Sequence, residues 1–180
     1  LAVRVAPSIG ENMEKGLDIR QWLQENLIDL LSVGIHIRIE PNMPIRQLKA
    51  DLGNDLHVPL YASTDMVTYQ ENEPVSEGMM RGFCMHALAQ GADGVYLFNY
   101  FFNDYNRGRY HTEPGEQTCR VPHPRMLHEL GSRETLEGRN KIYWLSDGKR
   151  EYGLRPNTPL PLCVQPQQQA EVSLFVGDRV

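Results

Sequence analysis

Short apolar runs alternate with stretches of helical spacing from the first residue to Phe102, and this alternation restricts the chain to an α/β architecture built on parallel strands. Leu1–Val5 reads as a buried strand that carries Arg4 and runs into a loop at Ala6-Pro7-Ser8-Ile9-Gly10. Asp18 with Gln21 three residues on forms a near capping box, and Ile19, Trp22 and Leu23 give the stripe of a short helix. Leu27–Val33 is almost wholly apolar and stops at Gly34, as a strand covered on both faces does. Pro44 at a first helical position, Ile45, Leu48 and Leu52 at helical spacing and Gly53 as the stop define the next helix. Val58–Ala62 supplies a third strand, with Pro59 confined to its start or to an edge-like position. Ser76 then caps a helix whose inner stripe is Met80, Phe83, Cys84, Ala87 and Leu88, and Gly91 ends it before a fourth strand, Val95–Phe102. Parallel neighbours joined in this way require right-handed helical crossovers.

Beyond Phe102 the pattern changes. Asn103–Pro124 is polar, aromatic and turn-rich, and Arg125–Leu130 is a short helical piece. Strand-like runs follow at Lys141–Leu145, Leu160–Gln165 and Glu171–Val176, separated by Gly148-Lys149, Pro156-Asn157 and the glutamine-rich turn Pro166–Gln169. We place a domain boundary near Gly131, with residues 1–130 as the α/β unit and 131–180 as the start of a β-rich unit with too few strands to close a sandwich.

Charge narrows the partners. A net charge of -5 gives no general attraction to phosphate backbones or anionic lipid, so nucleic acid is not the expected partner. No run reaches the roughly 20 apolar residues of a membrane helix. Cys84, Cys119 and Cys163 match neither a zinc ribbon nor a disulfide framework and read as free thiols, Cys84 on a core-facing helix. His36, His123 and His128 lack metal-ligand spacing, so neither a metal nor another cofactor is expected.

Val3-Arg4-Val5, Gly16-Leu17-Asp18 with Trp22, Leu27–Leu31 and above all Gly91-Ala92-Asp93-Gly94-Val95-Tyr96-Leu97-Phe98-Asn99 occur in an order and spacing that resembles one family. It is the bacterial family-10-like glycosyl hydrolases, a glycoside-hydrolase-like TIM-barrel family that carries a β-sandwich after the barrel. In that resemblance the strand ending in Phe98-Asn99 is the last of the barrel, and Lys141-Ile142-Tyr143 opens the appended domain. The resemblance implies the C-terminal half of a (β/α)8 barrel followed by a partial β-sandwich, with the fifth to eighth strands present and the first half before Leu1. It also implies a carbohydrate as partner and a secreted or periplasmic location; the start at Leu1 without Met leaves any leader outside this sequence. A half barrel leaves two sheet edges and an inner face, expected here to be apolar, for the missing half or a second copy to cover.

A TIM-barrel site lies at the C-terminal ends of the strands. That position selects Arg4, Ser8 and Glu11 after strand one, Ser32 through Glu40 after strand two, Tyr61, Ser63 and Asp65 after strand three, and Asn99 and Tyr100 at the end of strand four. Asp29 and Asp93 fall at the opposite ends, and Asp93 is expected to bond backbone groups there. Glycoside hydrolysis uses two carboxyl groups, one to protonate the leaving oxygen and one as nucleophile or base. Glu11, Glu40, Asp65 and Glu71 are the loop carboxylates available, a solvated charge being the simpler reading of each. Glu40 is the preferred catalytic carboxylate because it follows the alternating Ile35–Ile39, with Glu11 second and the partner carboxylate in the absent half. Arg4, a charge in an apolar strand, needs either a structural counter-ion or a substrate. Asn99, taken in phase with Val95 and Leu97, is expected to point into the barrel. Tyr61, Asp65 and Tyr100 complete the expected substrate contacts, while Trp22, Phe101 and Tyr105 are further aromatic candidates for core or sugar stacking. Arg107, Arg109, Arg120 and Arg125 suit either a loop folded over the barrel or an acidic ligand. Two alternatives stand beside the hydrolase: a carbohydrate-binding barrel without catalysis, and an enzyme of a phosphorylated substrate, which the absence of a glycine-rich turn after Asn99 disfavours.

Overall fold

The structure, a computed structural model, describes residues 1–35, 39–65, 75–98, 100, 124–145 and 164–178. Its elements in chain order are β1 (Ala2–Val5), α1 (Ile9–Glu14), α2 (Ile19–Gln24), β2 (Leu30–Val33), α3 (Ile45–Leu52), a 3-10 turn at Gly53–Asp55, β3 (Leu60–Thr64), α4 (Glu77–Ala89), β4 (Gly94–Leu97), a second 3-10 turn at Pro124–His128 and α5 (Arg133–Leu136). The four strands form one parallel sheet in the order β1-β2-β3-β4. The order contains no reversal of direction.

Strand alternation assigns the two faces. Val5, Leu31, Val33, Leu60 and Ala62 are buried in one hydrophobic core with Ile19 and Leu23 of α2, Leu48 and Leu52 of α3, and Met80, Phe83, Cys84 and Ala87 of α4. All three crossovers therefore cover the same face of the sheet. The opposite face carries Arg4, Ser32, Tyr61, Ser63 and Tyr96 and is not the apolar surface expected from the sequence. The strand residues that satisfy the aliphatic core had already been used on the helix side.

Local signals explain most element ends. Asp18 and Ser76 accept the backbone N–H groups of Gln21 and Met79 and so start α2 and α4. The chain turns left-handed at Gly53 and Gly91 after α3 and α4, at φ +55° and +97°. β2 begins at Leu30 and not at Leu27, because Asn26 takes a positive φ and Leu27 N–H returns to Trp22 O at 2.9 Å, which places Leu27 in the turn that closes α2. β3 starts after Pro59, whose carbonyl still accepts from Leu31 N–H at 2.9 Å. β4 is described as Gly94–Leu97, and Phe98 N–H adds a bond to Thr64 O at 3.0 Å; Asn99 and 101–123 lie outside the described residues, Phe101, Tyr105, Arg107, Arg109 and Arg120 among them.

Helix α1 stands where the sequence suggested only a loop. Ser8 caps it by accepting from Glu11 N–H at 3.2 Å, and fully buried Asn12 ties it back to the end of β1. Asn12 Oδ1 accepts from Ala6 N–H at 3.0 Å, while Nδ2 donates to Ala6 O at 3.0 Å and Ser8 O at 2.7 Å. Asn12→Ala removes the partner of Ala6 N–H and Ala6 O, while Ser8 O keeps the backbone N–H of residue 12, and is expected to cost about 2–3 kcal/mol, read as a lower urea midpoint with unchanged slope.

The expected strands at Lys141–Leu145 and Glu171–Val176 form no ladder among the described residues, nor do Val164 and Gln165, the described part of the run at Leu160–Gln165. The reason is visible for the first: Ile142 N–H donates to Gly78 O at 2.9 Å, so this backbone is engaged by a helix and not by a strand. Gly78 and Gly82 leave the groove on α4 that admits it, and Gly177 lies against Met85 O further along the same helix. Asp178 holds the two segments together, accepting from Tyr143 Oη and pairing with Lys141 Nζ, both at 2.8 Å.

Candidate functional site

The strand register builds a polar and aromatic surface on the face that the helices leave uncovered. Arg4, Ser32, Tyr61 and Gly94 are register partners across β1 to β4, and all four point to this face. Ser63 and Tyr96 form the next level towards the C-terminal ends. A side chain at Gly94 would meet the Tyr61 ring, its Cβ lying 2.8 Å from Cζ, so this glycine lets the ring lie across β4. Gly34 is similarly pressed against Ser63, with a Cβ there 2.6 Å from that of Ser63.

Arg4 spans the surface. Its guanidinium donates to Ile35 O at 2.5 Å and lies 4.1 Å from the centre of the Phe98 ring. Adjacent strands are about 4.8 Å apart, so β1 and β4 of a flat sheet would be separated by about 14 Å. A contact between side chains from the two outermost strands accordingly requires the sheet to curl towards its uncovered face. Burial pulls the Arg4 pKa below its ordinary value, and the neighbouring charge of Asp65, then that of Tyr96, opposes this. Asp65 itself is 5% exposed and stands just past the end of β3.

Glu40 is buried in the loop between β2 and α3, only 1% exposed. Asn42 N–H donates to its Oε1 at 2.9 Å, while Oε2 has no hydrogen-bond partner among the described residues. Burial pushes its carboxyl up to about 7, and the Asn42 bond offsets this only in part. It is therefore not the solvated loop charge that the sequence left open. Glu11 is on α1 and not in a loop, where its carboxylate accepts from Ser8 Oγ at 3.3 Å and so serves the helix start.

Of the expected substrate contacts, Arg4, Tyr61 and Asp65 come together at the curled face or its upper end. Tyr100 packs against the hydrophobic core. Asn99 is outside the described residues, and the premise for its direction fails: Val95 and Leu97 pack on the helix-covered side. The residues of that strand that do reach the site are Tyr96 and Phe98, which sequence reasoning missed. The signal lay in Gly94-Val95-Tyr96-Leu97-Phe98, whose aliphatic phase matches the helix-facing phase of the other strands. Asp93 sits at the opposite end, where its Oδ2 accepts from Leu60 N–H at 2.9 Å. His36 and His123 are outside the described residues, and among those described no three His, Cys, Asp or Glu side chains are grouped to hold a metal ion.

No protein-family model and no curated protein sequence matches this chain.

Proposed function

We propose that this chain is the four-strand C-terminal half of a (β/α)8 barrel and that it belongs to a glycoside hydrolase, with Glu40 as the general acid. The observation that carries the reading is the buried Glu40 carboxyl held at about 7, since an acid that protonates a glycosidic oxygen must keep its proton near neutral pH. The barrel is supported by the unbroken strand order, the confinement of helices to one face and the curl that brings Arg4 over Phe98. An inner face of hydroxyls, an arginine and aromatic rings suits a carbohydrate, whose ring edges are polar and whose faces stack on aromatics. Arg4, Tyr61, Asp65, Tyr96 and Phe98 are its contacts in this reading. In this reading Asp65, beside Arg4, is a substrate contact and Glu11 is engaged in starting α1, so the second carboxylate is assigned to a part of the barrel outside this arc of strands.

Two edges, β1 and β4, await neighbours in such a barrel, supplied by a preceding half or by a second copy. The strand-like runs Leu160–Gln165 and Glu171–Val176 are what supports a β-rich unit, the start of a sandwich, over residues 131–180, Lys141–Leu145 being taken up by α4. The test is release of reducing ends from a panel of neutral and acidic poly- and oligosaccharides. Release that Glu40→Gln abolishes while glycan binding persists supports the reading; release equal in wild type and variant overturns the assignment of Glu40, and no release or binding across the panel overturns the carbohydrate function.

A further inference from the structure

Two hydroxyls on the curled face are unexplained by the fold. Ser32 Oγ and Ser63 Oγ are buried, in side chains 3% and 0% exposed, and neither has a hydrogen-bond partner among the described residues. A buried hydroxyl without a partner costs about 1–3 kcal/mol, and alanine at either position would fill nearly the same space without that cost. The two are neighbours by register. Ser32 pairs with Tyr61, so Ser63 is one level higher on the adjacent strand, on the same face and diagonally across from it. The side chains around them on this face, Arg4, Tyr61 and Tyr96, all reach solvent, which leaves the hydroxyls one side chain deep.

We infer that Ser32 and Ser63 are ligand-binding residues that receive two hydroxyls of one sugar ring at the floor of the barrel. This rests on the carbohydrate reading above and adds to it both the residues and the group they recognise. A diagonal pair of strand positions is about 7–8 Å apart at the backbone, and inward-pointing hydroxyls narrow that span to the width of a single pyranose. Each hydroxyl both donates and accepts and so matches a sugar hydroxyl in both roles, whereas a carboxylate or phosphate group placed there would present acceptors only and leave that matching half used. Arg4 and Tyr61 must shift aside for the ring to reach them.

The experiment is titration calorimetry of the wild type, Ser32→Ala, Ser63→Ala and the double variant with neutral cello-, xylo- and chito-oligosaccharides, alongside thermal melting. Each single change is expected to weaken binding about tenfold, the factor for one neutral hydrogen bond, while the melting midpoint stays or rises. Unchanged affinity overturns the inference, as does a fall in midpoint with affinity retained, which would make the hydroxyls structural. Failure of the wild type to bind any of these sugars, or the uronic and phosphorylated rings run as controls, overturns the carbohydrate reading itself. Binding of the charged rings alone overturns the inference while leaving a sugar ligand in place.

Discussion

Glu40→Gln is expected to be more stable than the wild type at pH 8 and equal to it at pH 4 and, if the proposed hydrolase reading holds, to lose two to four decades of rate. The stability argument follows from the carboxyl's shift from 4.5 to about 7 on burial. A raised pKa means that the folded chain prefers the neutral acid. The contribution of that acid to stability is complete below pH 4.5, declines as the pH rises from there and is gone once the pH passes about 7. Ionising it in the folded state costs about 3 kcal/mol, from roughly 1.4 kcal/mol for each pH unit of displacement. Glutamine is neutral at every pH and keeps the acceptor for Asn42 N–H, so it escapes that loss. Urea midpoints at the two pH values check this, and a difference between variant and wild type that does not change with pH refutes it. The rate argument is separate: removal of a positioned general acid typically costs about 10²–10⁴-fold. In the proposed hydrolase the rate should also fall as pH rises through about 7, as the acid loses its proton.

The second large effect concerns Gly82. A Cβ at this position would overlap Ile142 O and lie 2.9 Å from Ile142 C, and both obstacles are backbone that a rotamer change does not move. Gly82→Ala improves helix propensity by about 1 kcal/mol, yet it must push residues 141–143 off α4. Forced overpacking of this kind costs about 1–3 kcal/mol and more where backbone must shift. We expect a net loss of about 2–3 kcal/mol and faster proteolysis between Arg139 and Leu145. Gly10→Ala is the control, since nothing stands within 4 Å of a Cβ there and the residue is helical. It is expected to be neutral or stabilising by up to about 1 kcal/mol. Equal effects of the two changes would show that Ile142 does not rest on α4.

Much of the framework was legible because its signals are local. The Asp18 and Ser76 caps, the turns at Gly53 and Gly91, and the buried stripe of α4 each depend on a few adjacent residues. The left-handed turn at Asn26 and the capping of α1 by Ser8 were missed although they too are local, because an apolar run and a proline-serine pair obscured them. The candidate site was legible in part. Position at strand ends selected Arg4, Tyr61 and Asp65, whereas Glu40 was selected by the alternating run before it and its burial was not anticipated. Tyr96 and Phe98 were lost because alternation in a single strand gives two phases and does not say which one faces the helices.

The sequence by itself determined the parallel strand–helix alternation, the starts and stops of the main helices and the set of residues near the C-terminal ends of the strands. These follow from hydrogen-bond capping and from apolar periodicity, both of which act over a turn or less. Tertiary structure alone decided which face became polar, how Arg4 of β1 came to rest on Phe98 beyond β4, and that Lys141–Leu145 lies on a helix. Those outcomes depend on burial and curvature shared among segments distant in the chain, and burial is also what changes Glu40 from a loop charge into an acid that holds its proton near pH 7.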